Sequence, residues 1–143
     1  MRFWDASALF PLLVEERGTP AARALLKADE TVYVWWGTLI ECAAGLARRM
    51  REGTLDADQH RRALKALVTA ADGWRDVAPE ESMREDAVRF VRSYPLRAGD
   101  ALQLAAGFTW ARRRPGGHEF VCLDHKLREA AQNEGFTVLP AHG

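Results

Sequence analysis

The chain predicts an α/β protein built on a mainly parallel sheet of about five strands, and three observations carry that expectation. Short apolar runs alternate with longer amphipathic ones along all 143 residues, the pattern of parallel strands connected by helices. The short runs are rich in β-branched and aromatic residues, and most are bounded by Gly, Pro or Asp. Acids also follow apolar runs directly, at Asp5 and Asp124. Open parallel sheets bind ligands outside the carboxyl ends of their strands, which is where both acids are expected to point.

The elements follow in order. Arg2–Asp5 is the first strand. Ser7 to about Glu16 is a helix apolar nearly all round, and Pro11 within it removes a backbone donor, so this helix is short or kinked. Thr19-Pro20 supplies an N-cap followed by Pro at the first helical position, opening a helix to about Ala28. Thr31–Trp35 is the second strand. Thr38-Leu39-Ile40-Glu41 opens a helix that runs through Leu46 and Met50 to Gly53, placed as a C-terminal cap. Asp56 or Asp58 starts the next helix, expected to turn Leu64, Leu67, Val68 and Ala71 to the core and Arg61, Arg62 and Lys65 away from it. Trp74–Val77 is the third strand. A helix from about Glu80 to Val91 stops before Pro95. Asp100 opens another, with Leu102, Leu104, Ala105, Phe108 and Ala111 on its apolar face and Pro115-Gly116-Gly117 at its end. Glu119–Leu123 and Phe136–Leu139 are the last strands, joined by a helix from Asp124 to Glu134 with Gly135 beyond it. No linker or repeat divides residues 1–143, which are expected to form one domain.

Composition excludes several classes. Apolar residues make up 48% and charged residues 28%, against disorder, collagen and coiled coil. Twenty basic residues balance twenty acidic ones, so the chain as a whole exerts no net pull on nucleic acid or anionic membrane. Seventeen of the twenty basic residues are Arg, the side chain that makes bidentate contacts to phosphates and carboxylates. Cys42 and Cys122 are far apart and form no metal-ligand spacing; they are expected to be reduced, buried and small, in a cytoplasmic chain. No apolar run is long enough for a signal peptide or membrane span, so no membrane partner is expected. Neither a P-loop nor G-x-G-x-x-G occurs. Of His60, His118, His125 and His142, only His125 stands beside a candidate site residue.

Carboxylates embedded in apolar surroundings are the informative ones, because burying a charge is costly. Four qualify. Asp5 follows Phe3-Trp4; Asp124 follows Phe120-Val121-Cys122-Leu123; Glu41 sits in Thr38-Leu39-Ile40-Glu41-Cys42-Ala43-Ala44; Asp100 sits in Ala98-Gly99-Asp100-Ala101-Leu102-Gln103-Leu104. Each also suits a plain structural role. Glu41 is placed to close a capping box with Thr38, and Asp5, Asp100 and Asp124 each precede or begin a helix that an acid would cap. Together, four acids at strand ends and helix starts crowd like charge, which a cation would relieve. A hard divalent ion, Mg²⁺ or Mn²⁺, suits oxygen donors.

Met1-Arg2-Phe3-Trp4-Asp5-Ala6-Ser7-Ala8-Leu9, Thr38-Leu39-Ile40-Glu41, Leu96-Arg97-Ala98-Gly99-Asp100-Ala101-Leu102-Gln103-Leu104-Ala105-Ala106 and Cys122-Leu123-Asp124-His125-Lys126-Leu127-Arg128-Glu129-Ala130-Ala131 resemble, in kind and in order, the four motifs of PIN-domain ribonucleases. The VapC-type toxins of bacterial toxin–antitoxin pairs are the branch they resemble most. This resemblance spans nearly the whole chain and implies a three-layer α/β/α sandwich. It also implies a Mg²⁺- or Mn²⁺-dependent endoribonuclease, a homodimer, and inhibition by a small VapB-like antitoxin whose peptide crosses the acidic cleft. Two positions depart from the family pattern. Cys122 stands where Ser or Thr is common, removing a hydrogen bond expected to support Asp124, and Trp4 replaces an aliphatic residue.

Hydrolysis of a phosphodiester needs a nucleophile made from water and relief of negative charge on phosphorus, and metal ions supply both. On the family pattern Asp5 and Asp100 are the principal metal ligands, Glu41 holds a water or acts as base, and Asp124 completes a second site. Ser7, two residues past Asp5, suits orienting a carboxylate or a metal-bound water and also capping the first helix, and the two roles are compatible. Candidate phosphate donors are Arg48, Arg49 and Arg51 ending the Glu41 helix, Arg97 before Asp100, and Arg112, Arg113 and Arg114 ending the Asp100 helix. Such clusters also complement helix C-termini. Trp35, Trp36 and Trp110 suit base stacking, core packing or a dimer contact. Alternative readings are an RNA-processing PIN nuclease that is not a toxin and a non-catalytic binding module. A phosphatase or phosphoreceiver ranks lower, because Asp5-Ala6-Ser7 lacks the second Asp such phosphatases carry.

Overall fold

All five expected strands form, each trimmed to the residues that pair. A computed structural model describes residues 1–142. Its strands are β1 (Arg2–Trp4), β2 (Val32–Trp35), β3 (Arg75–Val77), β4 (Glu119–Val121) and β5 (Thr137–Leu139). Every pairing is parallel, in the spatial order β3-β2-β1-β4-β5. Because the order runs one way from β1 and the other way from β4, the sheet has its topological switch point between these two central strands.

Side-chain alternation splits the core in two. Trp4, Val32, Val34 and Val121 pack with Ala8, Ala22, Leu46 and Leu67 from α1 (Ala6–Leu9), α2 (Thr19–Ala28), α3 (Thr38–Arg51) and α4 (Ala57–Asp72). Phe3, Trp35, Phe120 and Val138 pack on the other face with Met83, Phe90, Leu104 and Leu127 from α5 (Glu81–Ser93), α6 (Ala98–Trp110) and α7 (His125–Glu134). Helices on both faces make the sandwich. Trp4 is fully buried and its indole N–H has no partner, so this wide ring fills space at some cost in desolvation.

Several local expectations are corrected by tertiary contacts. The first helix ends at Leu9, and Pro11 sits inside a 3-10 turn over Phe10–Leu12. Thr19 is the first residue of α2 and not its cap; its hydroxyl donates to the Pro11 carbonyl at 2.7 Å and accepts from the Glu16 amide at 2.8 Å, closing the preceding loop. Asp56, and not Asp58, caps α4, in a full capping box with Gln59. The buried face of α4 is Ala63 and Leu67, while Leu64 and Val68 are exposed. A heptad-like apolar run wider than the contact it makes leaves one edge outside.

α6 begins at Ala98, two residues before Asp100, and ends at Trp110, well before Pro115. Arg112 and Arg113 then take left-handed conformations, φ 54° and 60°. Arg113 is anchored there by a bidentate bond to the buried Asp86, at 3.0 and 2.8 Å. The helix lies close on the sheet because residue 107 is Gly: a Cβ there would stand 2.7 Å from Phe120 Cε2. Gly107→Val is expected to overpack this seam and destabilise the fold by about 1–3 kcal/mol, measurable as a lowered urea midpoint at unchanged m value.

Candidate active site

Strand ends bring the site together. Asp5 leaves the end of β1 and is only 3% exposed. Its amide still completes the sheet, donating to Val121 O at 2.9 Å, and its Oδ2 accepts from Ser7 N at 3.1 Å, so Asp5 itself caps α1. Asp124 leaves the end of β4 and caps α7, accepting from Leu127 N at 2.9 Å. Both plain capping roles are therefore real, and both leave the carboxylates at the carboxyl edge of the sheet.

Ser7 does not cap α1, which Asp5 does; its hydroxyl binds backbone instead. Its Oγ accepts from Leu123 N at 2.9 Å and Asp124 N at 3.2 Å, joining the segment after β1 to the segment after β4. Cys122 contributes more than its residue type suggested. Its Sγ lies 3.6 Å from Asp5 Oδ2 and from Ser7 Oγ, and 3.5 Å from the Asp124 carbonyl. Burial pushes this thiol far up, so it stays protonated and can donate. The support expected to be missing from Asp124 is thus supplied by Ser7.

Helix starts bring the remaining acids. Thr38 and Glu41, one turn apart on α3, form no capping box; the Thr38 hydroxyl is buried and turned inward. Gln103 of α6 donates through Nε2 to Thr38 Oγ1 at 2.9 Å and to Glu41 Oε1 at 3.1 Å. Asp100 sits in the first turn of α6, with Arg97 as the residue before the helix.

The electrostatics record the convergence. Desolvation, with repulsion from Asp100 added, raises Asp5 to about 6 against the lowering effect of its bonds to Ser7. Desolvation and then the charges of Asp5 and Asp100 raise Glu41 to about 7. Asp100 is raised by desolvation and by Asp124, with Arg97 and Lys126 pulling the other way. All four expected acids therefore interact. Cys42, beside Glu41, is pushed up to about 12 chiefly by burial and remains a thiol.

Cations border this group unequally. A cleft of about 340 Å³ opens from Ser7 and Glu41 along α3 to Arg48 and Arg49. Arg49 is ion-paired with Glu16 and lies over the Phe10 ring, 5.4 Å from its centroid; Arg48 is exposed at the cleft edge. Arg97 and Lys126 lie near Asp100 and pull its carboxyl down. Arg112 follows the C-terminal end of α6 and is separated from Asp100 by the length of the helix, about 18 Å. Sequence reasoning did not single out Gln103 or Lys126. Gln103 carried a signal, a polar residue one turn after Asp100 inside an Ala/Leu run.

An all-parallel α/β sandwich with an acidic crevice at its switch point defines a PIN-like fold. Its structural neighbours are toxin–antitoxin proteins of the VapC and FitB type. The chain is similar to VapC20 of Mycobacterium tuberculosis, a sarcin–ricin loop cleaving toxin, with TM-score 0.66 and 19% identity over 96% of this chain and 97% of that one. FitAcB from Neisseria gonorrhoeae matches at TM-score 0.66 and 18% identity over 100% of both chains. A toxin–antitoxin complex from Klebsiella pneumoniae matches at 0.59 and 20% over 88% of each. No protein-family model matches the chain, and no curated protein matches its sequence.

Two outcomes follow from this geometry. In metal-free buffer the folded state binds more protons than the unfolded state wherever Asp5 and Glu41 are raised. Stability should therefore fall as pH rises from about 4 to about 7 and level off above. Asp5→Asn should remove much of that slope and gain on the order of 2 kcal/mol at pH 8; an unchanged slope in urea melts would contradict the assignment. Ser7→Ala strands two backbone amides and is expected to cost about 1–2 kcal/mol, with faster hydrogen exchange at Leu123 than at Phe120.

Proposed function

We propose that the chain is a Mg²⁺- or Mn²⁺-dependent endoribonuclease acting as the toxin of a toxin–antitoxin pair. The observation that carries this is the gathering of Asp5, Glu41, Asp100 and Asp124 at the carboxyl edge of the sheet by β1, β4 and the starts of α3 and α6, with Asp5, Glu41 and Asp100 raised by burial first and by neighbouring carboxylates second. That VapC20, on the same fold, is an RNA-cleaving toxin favours RNA as substrate.

The donor set fits a hard divalent cation, since all four groups are oxygen donors with excess negative charge. Among the described residues, no three His, Cys, Asp or Glu side chains form a ready metal-binding group. Mg²⁺ is commonly held by one or two carboxylates and keeps several waters. Asp5 and Asp100 would hold such an ion, with Asp124 beside Asp100 for a second. When bound, the ion supplies a more acidic water and neutralises charge on the phosphoryl oxygens.

The chain's own groups do the rest. Glu41, raised to about 7, has a pKa matched to accepting a proton near neutral pH and is the candidate general base. Ser7 and Cys122 fix Asp5 and the Asp124 backbone from below. Arg97, near Asp100, and Arg48 and Arg49, lining the cleft beside Glu41, are the candidate contacts to phosphates of the substrate strand. Arg112 falls outside this role.

A protein partner is supported by an exposed apolar patch of Trp36, Leu39, Ile40 and Val68, with exposures of 55, 40, 63 and 53%. We assign to the protein an antitoxin and a homodimeric state, in the cytoplasm. No helix is long and apolar enough to cross a membrane among the described residues.

Asp100→Asn should fold at least as stably as the wild type in metal-free buffer and lose Mg²⁺-dependent cleavage of total RNA by at least about 100-fold; a fully active variant refutes the assignment. Saturating Mn²⁺, at about 100 times its Kd, should stabilise the wild type by about 2.7 kcal/mol and the Asp5→Asn/Asp100→Asn double variant far less. Growth arrest on expression, relieved by a small protein encoded beside this one, is the expected cellular outcome.

A further inference from the structure

We propose that Gln103 is a positioning residue that clamps Glu41 in the orientation facing Asp5 and Asp100. Its side-chain amide is fully buried. Both bonds of its Nε2 go to α3, at 2.9 Å to Thr38 Oγ1 and 3.1 Å to Glu41 Oε1. Thr38 and Glu41 are one turn apart on α3, as Asp100 and Gln103 are on α6, so each pair shares a helix face. The amide thus braces the two helices that carry Glu41 and Asp100, on the side that faces the site.

The opposite end of the same amide identifies the purpose. Gln103 Oε1 is buried with no hydrogen-bond partner. A position that only filled space between α3 and α6 would hold Leu or Met and avoid that desolvation cost. What the amide supplies that those residues cannot is a neutral N–H donor. Thr38 fixes the plane of the amide, and the second N–H then fixes Oε1 of Glu41. A Lys or Arg here would aim the carboxylate equally well and neutralise it; a neutral donor leaves its charge and basicity available.

The catalytic consequence rests on the nuclease function proposed above, whereas the clamp itself is measurable without it. In metal-free ¹⁵N-labelled protein, the Gln103 side-chain amide protons should exchange slowly with solvent, and Glu41→Ala should abolish that protection while leaving the Gln132 amide unchanged. Unaltered Gln103 protection in Glu41→Ala overturns the clamp, whether or not the protein cleaves RNA.

Gln103→Met, matched in length and volume, is expected to lower kcat by about 10–100-fold, the range for residues supporting a reacting group, with KM for RNA within about 3-fold of wild type. In a Glu41→Gln background the same substitution should add no further loss, because its effect passes through Glu41. A full additional loss in that background, or a folded Gln103→Met within about 2-fold of the wild-type kcat, overturns the proposal. Should Gln103→Met fold poorly, Gln103→Glu gives the decision: it keeps the shape and turns a donor into a like charge, so the same fall in kcat is expected and a wild-type rate refutes it. Wild-type protein inert toward RNA would refute the nuclease function and leave the exchange experiment to decide the clamp.

Discussion

The Ser7 hydroxyl closes the one seam that this topology opens. At the switch point the chain leaves β1 toward one face of the sheet and leaves β4 toward the other, so the two strand ends diverge exactly where two acids follow them. Ser7 Oγ accepts from both Leu123 and Asp124, holding the divergence to a crevice. Everything at the carboxyl edge depends on that span: Asp5 caps α1 on one side, Asp124 caps α7 on the other, and the distance between them is set by one side chain.

Bringing carboxylates so close works against stability. The raised Asp5, Glu41 and Asp100 are charged at neutral pH only at a cost to the folded state, and the core beneath, with Phe3, Trp4, Phe120 and Val121 fully buried, has to offset it. Such a cost, owed first to burial and then to like charge, is characteristic of functional sites. The balanced overall charge hides this. Setting those three acids and Asp124 aside leaves 16 acidic residues against 20 basic ones, so the rest of the chain is net basic. Part of that excess is committed elsewhere, since Arg113 serves the buried Asp86 and Arg49 serves Glu16.

Sequence made β1, β2 and β4 legible because each is a short, largely apolar run whose two faces are covered, a local signal that tertiary contacts reinforce, whereas β3, Arg75–Val77, is mostly charged and exposed. The four acids were legible for the opposite reason, being charges where charges are expensive. What the sequence did not disclose depends on partners remote along the chain. Ser7 bonds across 116 residues and Gln103 across 62, and neither spacing leaves a periodic trace. Thr19 followed by Pro20 has the form of a cap, yet the Pro11 carbonyl claims its hydroxyl. Leu64 and Val68 match a helical apolar stripe, but α4 meets its neighbours only along Ala63 and Leu67.

Cys122 shows how the site tolerates a departure in its own floor. A thiol is a weaker donor than the hydroxyl it replaces, and an ionised one would add a further negative charge beneath Asp5. Burial prevents that by holding the thiol neutral, so its hydrogen remains available to Asp5 Oδ2 at 3.6 Å. Its carbonyl is meanwhile fixed by the buried Arg128, whose guanidinium bonds Cys122 O at 2.8 Å and Pro140 O at 2.7 Å. The β4 end is thereby tied on one side to Ser7 and on the other to the chain beyond β5. With the backbone held at both points, the position of Asp124 rests on the Ser7 and Arg128 bonds as well as on the Cys122 side chain.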